Sequence, residues 1–364
     1  MAPGRSQVDP LDGLASDLET EREFVAARAP AYARLTELLM EEITAAVAER
    51  LRAAWTGRVS SAWYERPLLL LTSLRWAALT EGERHPLWSG LQIDHPDVDS
   101  ITAEAVRASV GSDQRPFWNA VRDRHVQTND VSRGIAWIWP AALAAAADPD
   151  RAIDLHDIGA SAGLNLIADS IGGSWRRTDD RPLEVEPRPP IGVRSGYDLR
   201  PLDPLADQDA NWLRALIWPG QGDRAARLEA AIDAYRKASR CDNPPRIHAA
   251  NAVEVPGRLT AVRRGGNRAI AYQTVMRDYL SEDELDAYER GIEAWLERSE
   301  EGGAIWMELE VTDEARSGGA VLALRGTVRA DGRTVSRRLA LSEPHPVALD
   351  VDDAAVADFR AALR

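Results

Sequence analysis

From about residue 150 onward, short apolar runs alternate with helix-length polar segments, and this alternation restricts the fold more than any other feature. The runs fall at 153–158, 191–197, 246–250, 268–273 and 304–311, with helical stretches at 207–217, 223–239 and 281–299. Strands lying parallel need crossovers of that length, so a doubly wound α/β sheet is predicted. Residues 320–329 and 334–341 then flank Ala330-Asp331-Gly332-Arg333, whose Asp-Gly pair is a two-residue hairpin signal. The sheet is therefore expected to have seven strands and to close with an antiparallel hairpin.

The preceding stretch reads differently. From about 14 to 148 the periodicity is helical: Leu35, Leu38, Leu39, Ile43, Val47 and Leu51 share a face, and Ser16 with Glu19 spells a capping box. Further helices are predicted at 61–80, 99–110, 115–126 and 131–147. Two domains follow, an all-helical cap or substrate domain over 1–148 and the α/β domain over 149–364. Seven of the twelve tryptophans lie in the helical part, where they either pack a core or wall a pocket.

The first strand runs straight into Asp157-Ile158-Gly159-Ala160-Ser161-Ala162-Gly163-Leu164-Asn165. Small residues let backbone approach a ligand, and amides at a following helix start can face an oxygen-rich group. Three chemistries share these letters. A dinucleotide loop needs a third glycine where Leu164 stands. A GxSxG nucleophile elbow matches in full, with Ser161 as nucleophile, but wants strands ahead of it to supply an oxyanion amide, and the helical pattern there offers none. The third reading is a cofactor loop with Asp157 at the strand end, which uses more of the surroundings.

Composition narrows the partners. A net charge of -14 opposes a phosphate backbone, so nucleic acid is not expected. Cys241 is the only cysteine, and the six histidines show no HExxH pair, so neither a disulfide nor a metal centre is expected. No apolar signal region opens the sequence and no run is long enough to span a bilayer, so a soluble cytoplasmic protein is expected. A homodimer is left open.

A parallel sheet closed by an antiparallel hairpin, with the GxSxG-like loop after its first strand, resembles the class I S-adenosylmethionine-dependent methyltransferases. Ser195-Gly196-Tyr197-Asp198-Leu199-Arg200-Pro201 looks like their GxDxxP-type segment. The resemblance implies S-adenosylmethionine as cofactor and a site drawn from Asp157, Gly159, Ala160, Ser161, Gly163, Asn165, Asp198, Leu199, Asn251, Ala252, Gln273 and Thr274. In it Asp157 positions the methionine amine, Asp198 accepts from both ribose hydroxyls, and Asn251 meets the adenine amino group. Glu184 or Glu186 is the ribose ligand instead if the second strand lies there, and Asp198 and Asn251 are otherwise simple turn formers.

Taken together, Gln127-Thr128-Asn129-Asp130-Val131-Ser132-Arg133, the GASAGLN loop, Tyr197-Asp198-Leu199-Arg200-Pro201 and Trp212 to Pro219 resemble an uncharacterised bacterial family, domain of unknown function 2332, over nearly the whole chain. Asp130 and Asn251 depart from its pattern, where Glu and Asp are expected. Gln127, Asn129, Arg133 and Tyr279 are candidates to cap the cofactor, Arg133 through the methionine carboxylate. Asn129 and Arg133 share a face if their segment is helical. The implied activity is methyl transfer to a small-molecule acceptor by in-line displacement, with His125, His248 and Tyr279 as candidate bases. A non-catalytic cofactor or nucleoside binder is the first alternative and a serine hydrolase using Ser161 the second.

Overall fold

A computed structural model describes residues 9–58, 60, 62–111, 116–127, 130–171, 175–262, 266–316 and 319–364. Its α-helices, in chain order, are α1 Leu14–Val25, α2 Pro30–Glu42, α3 Ala45–Ala54, α4 Glu65–Glu81, α5 Ala103–Val110, α6 Pro116–Asp123, α7 Ile135–Ala147, α8 Asp207–Ala215, α9 Gly222–Ala238, α10 Val255–Val262, α11 Glu282–Arg298 and α12 Asp353–Ala362. Two compact units form, neither contiguous in sequence: Met1–Thr128 with Ala206–Ala226, and Asn129–Leu205 with Arg227–Arg364.

The first unit is helical, as its periodicity predicts. Leu35, Leu38, Leu39 and Leu51 are buried, although the chain breaks between α2 and α3. The Ser16–Glu19 box caps nothing: α1 begins at Leu14 behind Gly13, whose φ of 76° is open to glycine, and Glu19 pairs with Arg22 instead. A cavity of about 850 Å³ in this unit is lined by Arg52, Trp55, Arg58, Trp63 and Arg66 among others.

The second unit is built on one sheet. Its strands are β1 Ile153–Ile158, β2 Arg176–Arg177, β3 Ile191–Asp198, β4 Arg246–Ala249, β5 Arg268–Thr274, β6 Ala304–Arg316, β7 Gly319–Ala330, β8 Arg333–Ser342 and β9 Ala348–Val351. Their order is β2-β9-β8-β7-β6-β5-β1-β3-β4. The β4-β3-β1-β5-β6 half is parallel, and β6-β7-β8-β9 is an antiparallel meander. One face packs α7 and α12 through Ile138, Leu155, Ile270, Met307 and Phe359; the other packs α10 and α11 through Val255, Ala271, Tyr288, Ile292 and Trp306. Helices on both faces explain why β1 and β5 are buried along their whole length.

Three expectations need correction. The sheet has nine strands rather than seven, because β2 and β9 pair with each other at its far edge. The division at 148 gives way to the interleaved units: α7 packs on the sheet, and α8 belongs with the helical unit. Finally, no α-helix follows the glycine loop. Residues Leu164–Ser170 form 3-10 turns kinked at Ile167, so no helix dipole faces a ligand there.

Candidate functional site

Strand β1 continues on one side into β3 and β4, whereas β5 lies on its other side, so the strand order reverses at the β1/β5 boundary. In open α/β sheets ligands bind outside the carboxyl ends of the strands at such a reversal. Asp157 on β1 lies opposite Tyr272 on β5 at that place. Both are buried, and the Tyr272 hydroxyl and Asp157 Oδ2 each lack a hydrogen bond of ordinary geometry. Burial pushes the Asp157 carboxyl up to about 8; the nearby Tyr272 hydroxyl pulls against this, and the Asp198 charge adds to it. Burial thus favours the neutral acid form of this side chain.

The loop after β1 is held open by its backbone. Gly159, Ser161 and Gly163 have φ of 81°, 51° and 69°. Serine tolerates this conformation poorly, and Asp198 Oδ2 holds it there by accepting from Ser161 N at 2.7 Å. The Ser161 Oγ and Asn165 Oδ1 atoms are buried without a hydrogen-bond partner. Two orphaned polar atoms therefore fall on one short loop, beside the buried Asp157 and Tyr272 that face each other. A serine nucleophile needs a base on its Oγ; Ser161 has the strain of an elbow but no such base.

Glycine at 163 is needed twice over. A Cβ there would lie 2.2 Å from Ile247 Cδ1, at a φ that only glycine adopts freely. Gly163→Val is expected to lower folding stability by on the order of 3 kcal/mol in urea titrations. A midpoint equal to wild type would show that the loop relaxes without cost.

The remaining sequence candidates disperse. Asp198 ends β3 and spends its second oxygen on Arg200 N at 2.8 Å, while Leu199 beside it is 62% exposed. Asn251 accepts from Val253 N at 3.1 Å as the cap of the turn that opens at Ala252, which is the simple turn role. Gln273 is fully buried: its carbonyl accepts from Tyr288 Oη and Trp306 Nε1, and its amide donates to Glu310. Thr274 ends β5. Ala160 packs under Gly196, where an added Cβ would fall 2.8 Å from its methyl. Glu184 and Glu186 precede β3 and pair with Arg360 and Arg188 on the surface, so the condition for their ribose role is absent.

Among the capping candidates, Asn129 lies outside the described residues, and Gln127 falls in the helical unit. The helix that was to align Asn129 with Arg133 is a 3-10 turn at Val131–Gly134, and the buried Arg133 donates to the Pro344 carbonyl at 3.2 Å. Tyr279 sits half-buried in the turn after β5. Of the candidate bases, His125 Nδ1 lies 3.1 Å from Arg58 in the helical unit, and His248 is exposed on β4 with its ring stacked on Tyr197 at 5.4 Å.

Sequence reasoning missed Glu310. Glu310, at 7% exposure, accepts from Met276 N at 3.1 Å to each oxygen and from Gln273 Nε2 at 3.1 Å. Burial pushes its carboxyl up to about 7, against the pull of those donors. It braces a strained turn in which Val275 has φ 52°, unusual for a β-branched residue, and Met276 rests against Gly159. The readable signal was two glutamates, Glu308 and Glu310, alternating inside the apolar run Ile305-Trp306-Met307-Glu308-Leu309-Glu310-Val311.

Among the described residues no group of three or more His, Cys, Asp or Glu side chains is placed to hold a metal ion, and no helix is long and apolar enough to cross a membrane. A family model described as an uncharacterized protein conserved in bacteria (DUF2332) matches residues 19–350. No curated protein and no solved structure matches the chain.

Proposed function

The chain belongs to that bacterial family, and we propose that its sheet unit binds S-adenosylmethionine at the β1/β5 reversal and transfers the methyl group to a small-molecule acceptor. The observation that carries the reading is a pair of orphaned buried atoms, Ser161 Oγ and Asn165 Oδ1, beside the buried Asp157 and Tyr272 that face each other, around a loop of small residues. Unsatisfied buried polar groups are costly unless something completes them. A ligand bearing an ammonium group beside a nucleoside has the donors this set lacks.

The residues fit that cofactor in type. Asp157 would take the ammonium, giving up its proton as it does so; Gly159 to Gly163 would let the chain lie close; Asp198 would meet the ribose. A carboxylate accepts through both oxygens, which is the chemistry that a pair of ribose hydroxyls requires. Bound there, S-adenosylmethionine would supply a methyl group already activated by its sulfonium. The chain's own part is to orient and to exclude water.

Calorimetry with S-adenosylmethionine and S-adenosylhomocysteine tests the reading. Wild type is expected to bind both; Asp198→Ala loses at least tenfold in affinity, and Gly159→Val loses a similar amount because its side chain would meet Met276 at 2.8 Å. Tight binding that ignores both substitutions, or no binding by wild type, would discard the site.

A further inference from the structure

We propose that the cavity of the helical unit is a second binding site, suited to a small zwitterion: a free α-amino acid with an apolar side chain. Every residue lining it belongs to that unit, so the proposal does not depend on the β1/β5 site. At about 850 Å³ it has the volume of a small-molecule pocket. Its walls come from the segment before α1, the end of α3 and the start of α4.

The lining carries both signs in equal number. Arg52, Arg58 and Arg66 are matched by Asp9, Asp12 and Asp17, so a ligand of one sign meets repulsion along with attraction. Two of the arginines are spent on the protein. Arg66 donates through Nε and Nη2 to Asp17 and through Nη1 to the carbonyls of Pro10 and Asp12, and Arg58 donates to the carbonyls of Val121 and Arg122. Arg52 differs. It reaches Asp9 through Nε alone, at 3.0 and 2.9 Å to the two oxygens, and its Nη1 and Nη2 meet no acceptor among the described residues.

The two terminal nitrogens of a guanidinium match a carboxylate in bidentate geometry. A further donor stands three residues on, where Trp55 caps α3: it is 1% exposed, and its Nε1 is buried without a partner. Such an orphan is costly unless an acceptor completes it. Asp12 is the opposite pole. Its carboxylate takes no donor among the described residues, while Arg66 holds its carbonyl and so fixes the backbone that carries it. An ammonium supplies the donors that this carboxylate lacks. Trp63 provides the apolar wall: it lines the cavity, is 41% exposed, and is braced edge-on by Phe24 and Tyr64 with centroids 6.4 and 5.8 Å away. Carboxylate, ammonium and apolar group together describe an amino acid.

Calorimetry on the full chain tests the site with L-leucine and L-phenylalanine, each compared with its N-acetyl form, which lacks the ammonium, and its amide, which lacks the carboxylate. At least one free amino acid is expected to bind, with both its capped forms about tenfold or more weaker. Arg52→Met should weaken the free amino acid by a similar factor and leave the amide's affinity unchanged; Asp12→Asn should weaken it too and leave the N-acetyl form unchanged. Both side chains are exposed, and urea midpoints separate lost binding from lost folding. The ligand series needs no variant, so it decides even if a substitution lowers the midpoint. Absence of binding by both amino acids, capped forms that bind as well as the free ones, or variant losses that fall equally on all ligands overturn the proposal. Saturation with S-adenosylhomocysteine should leave the amino acid's affinity unmoved, and strict competition would overturn the proposal by placing the amino acid at the cofactor site. Failure of S-adenosylhomocysteine to bind would strike the methyl-transfer reading alone.

Discussion

Glu310→Ala is expected to cost on the order of 3–5 kcal/mol of folding stability. The carboxylate is buried midway along β6 and accepts from Met276 N and the Gln273 amide. Each buried donor left without a partner costs about 1–3 kcal/mol. The same deletion also frees the turn at Val275, whose left-handed backbone a β-branched residue does not choose for itself. Gln273 would lose its restraint too, and with it the acceptor shared by Tyr288 and Trp306. Urea titration measures the loss, and a change below about 1 kcal/mol would mean that the turn and its network find other partners. Glu310→Gln keeps one carbonyl for Met276 N but sets an NH2 group against the Gln273 amide, so it should fall between wild type and alanine.

What was legible in the sequence follows the range of the forces involved. Strands β1 and β5 are buried along their whole length, and runs such as Arg268 to Thr274 could be found between helix-length segments. The hairpin was written in two letters, because Asp331 and Gly332 both take positive φ, at 52° and 71°, and few residue pairs accept that. Strands β2 and β9 carried no such signal: at two and four residues they are strands because β9 pairs with β8 and β2 with β9. The interleaving of units was hidden for the same reason, since the periodicity of α7 and α8 says that a face is buried but not against what. At the site, Asp157 and the glycine loop could be found because local geometry dictates their residue types. Tyr272 carried no such local signal, since its place opposite Asp157 comes from the register of β5 with β1. Asn251 shows the converse error: a residue of suitable chemistry at a suitable strand end was already occupied by its own backbone.

Asp157→Asn should make the protein more stable at neutral and alkaline pH, by a margin that grows with pH. The folded carboxyl holds its proton up to about 8, whereas in the unfolded chain it releases it near 3.8. Unfolding between those values therefore releases a proton, and stability falls by about 1.4 kcal/mol per pH unit for each such group. Glu310 and the buried Glu21, each pushed up to about 7 by burial, slope the same way over the lower part of the window. Wild type should thus be most stable near pH 4–5 and weaken toward pH 8, while Asp157→Asn, which has no carboxyl to ionise at that position, weakens less steeply. Urea midpoints from pH 5 to 8 measure the difference, and parallel curves would mean that Asp157 is ionised in the folded protein and does not store this cost. Saturating S-adenosylhomocysteine should flatten the wild-type curve and leave the variant's slope unchanged, because a bound ammonium lets Asp157 lose its proton without unfolding. A cost of this size at one buried residue is what a site built for a missing partner would carry: the carboxyl is unfavourable to the empty fold and becomes favourable when a cation arrives.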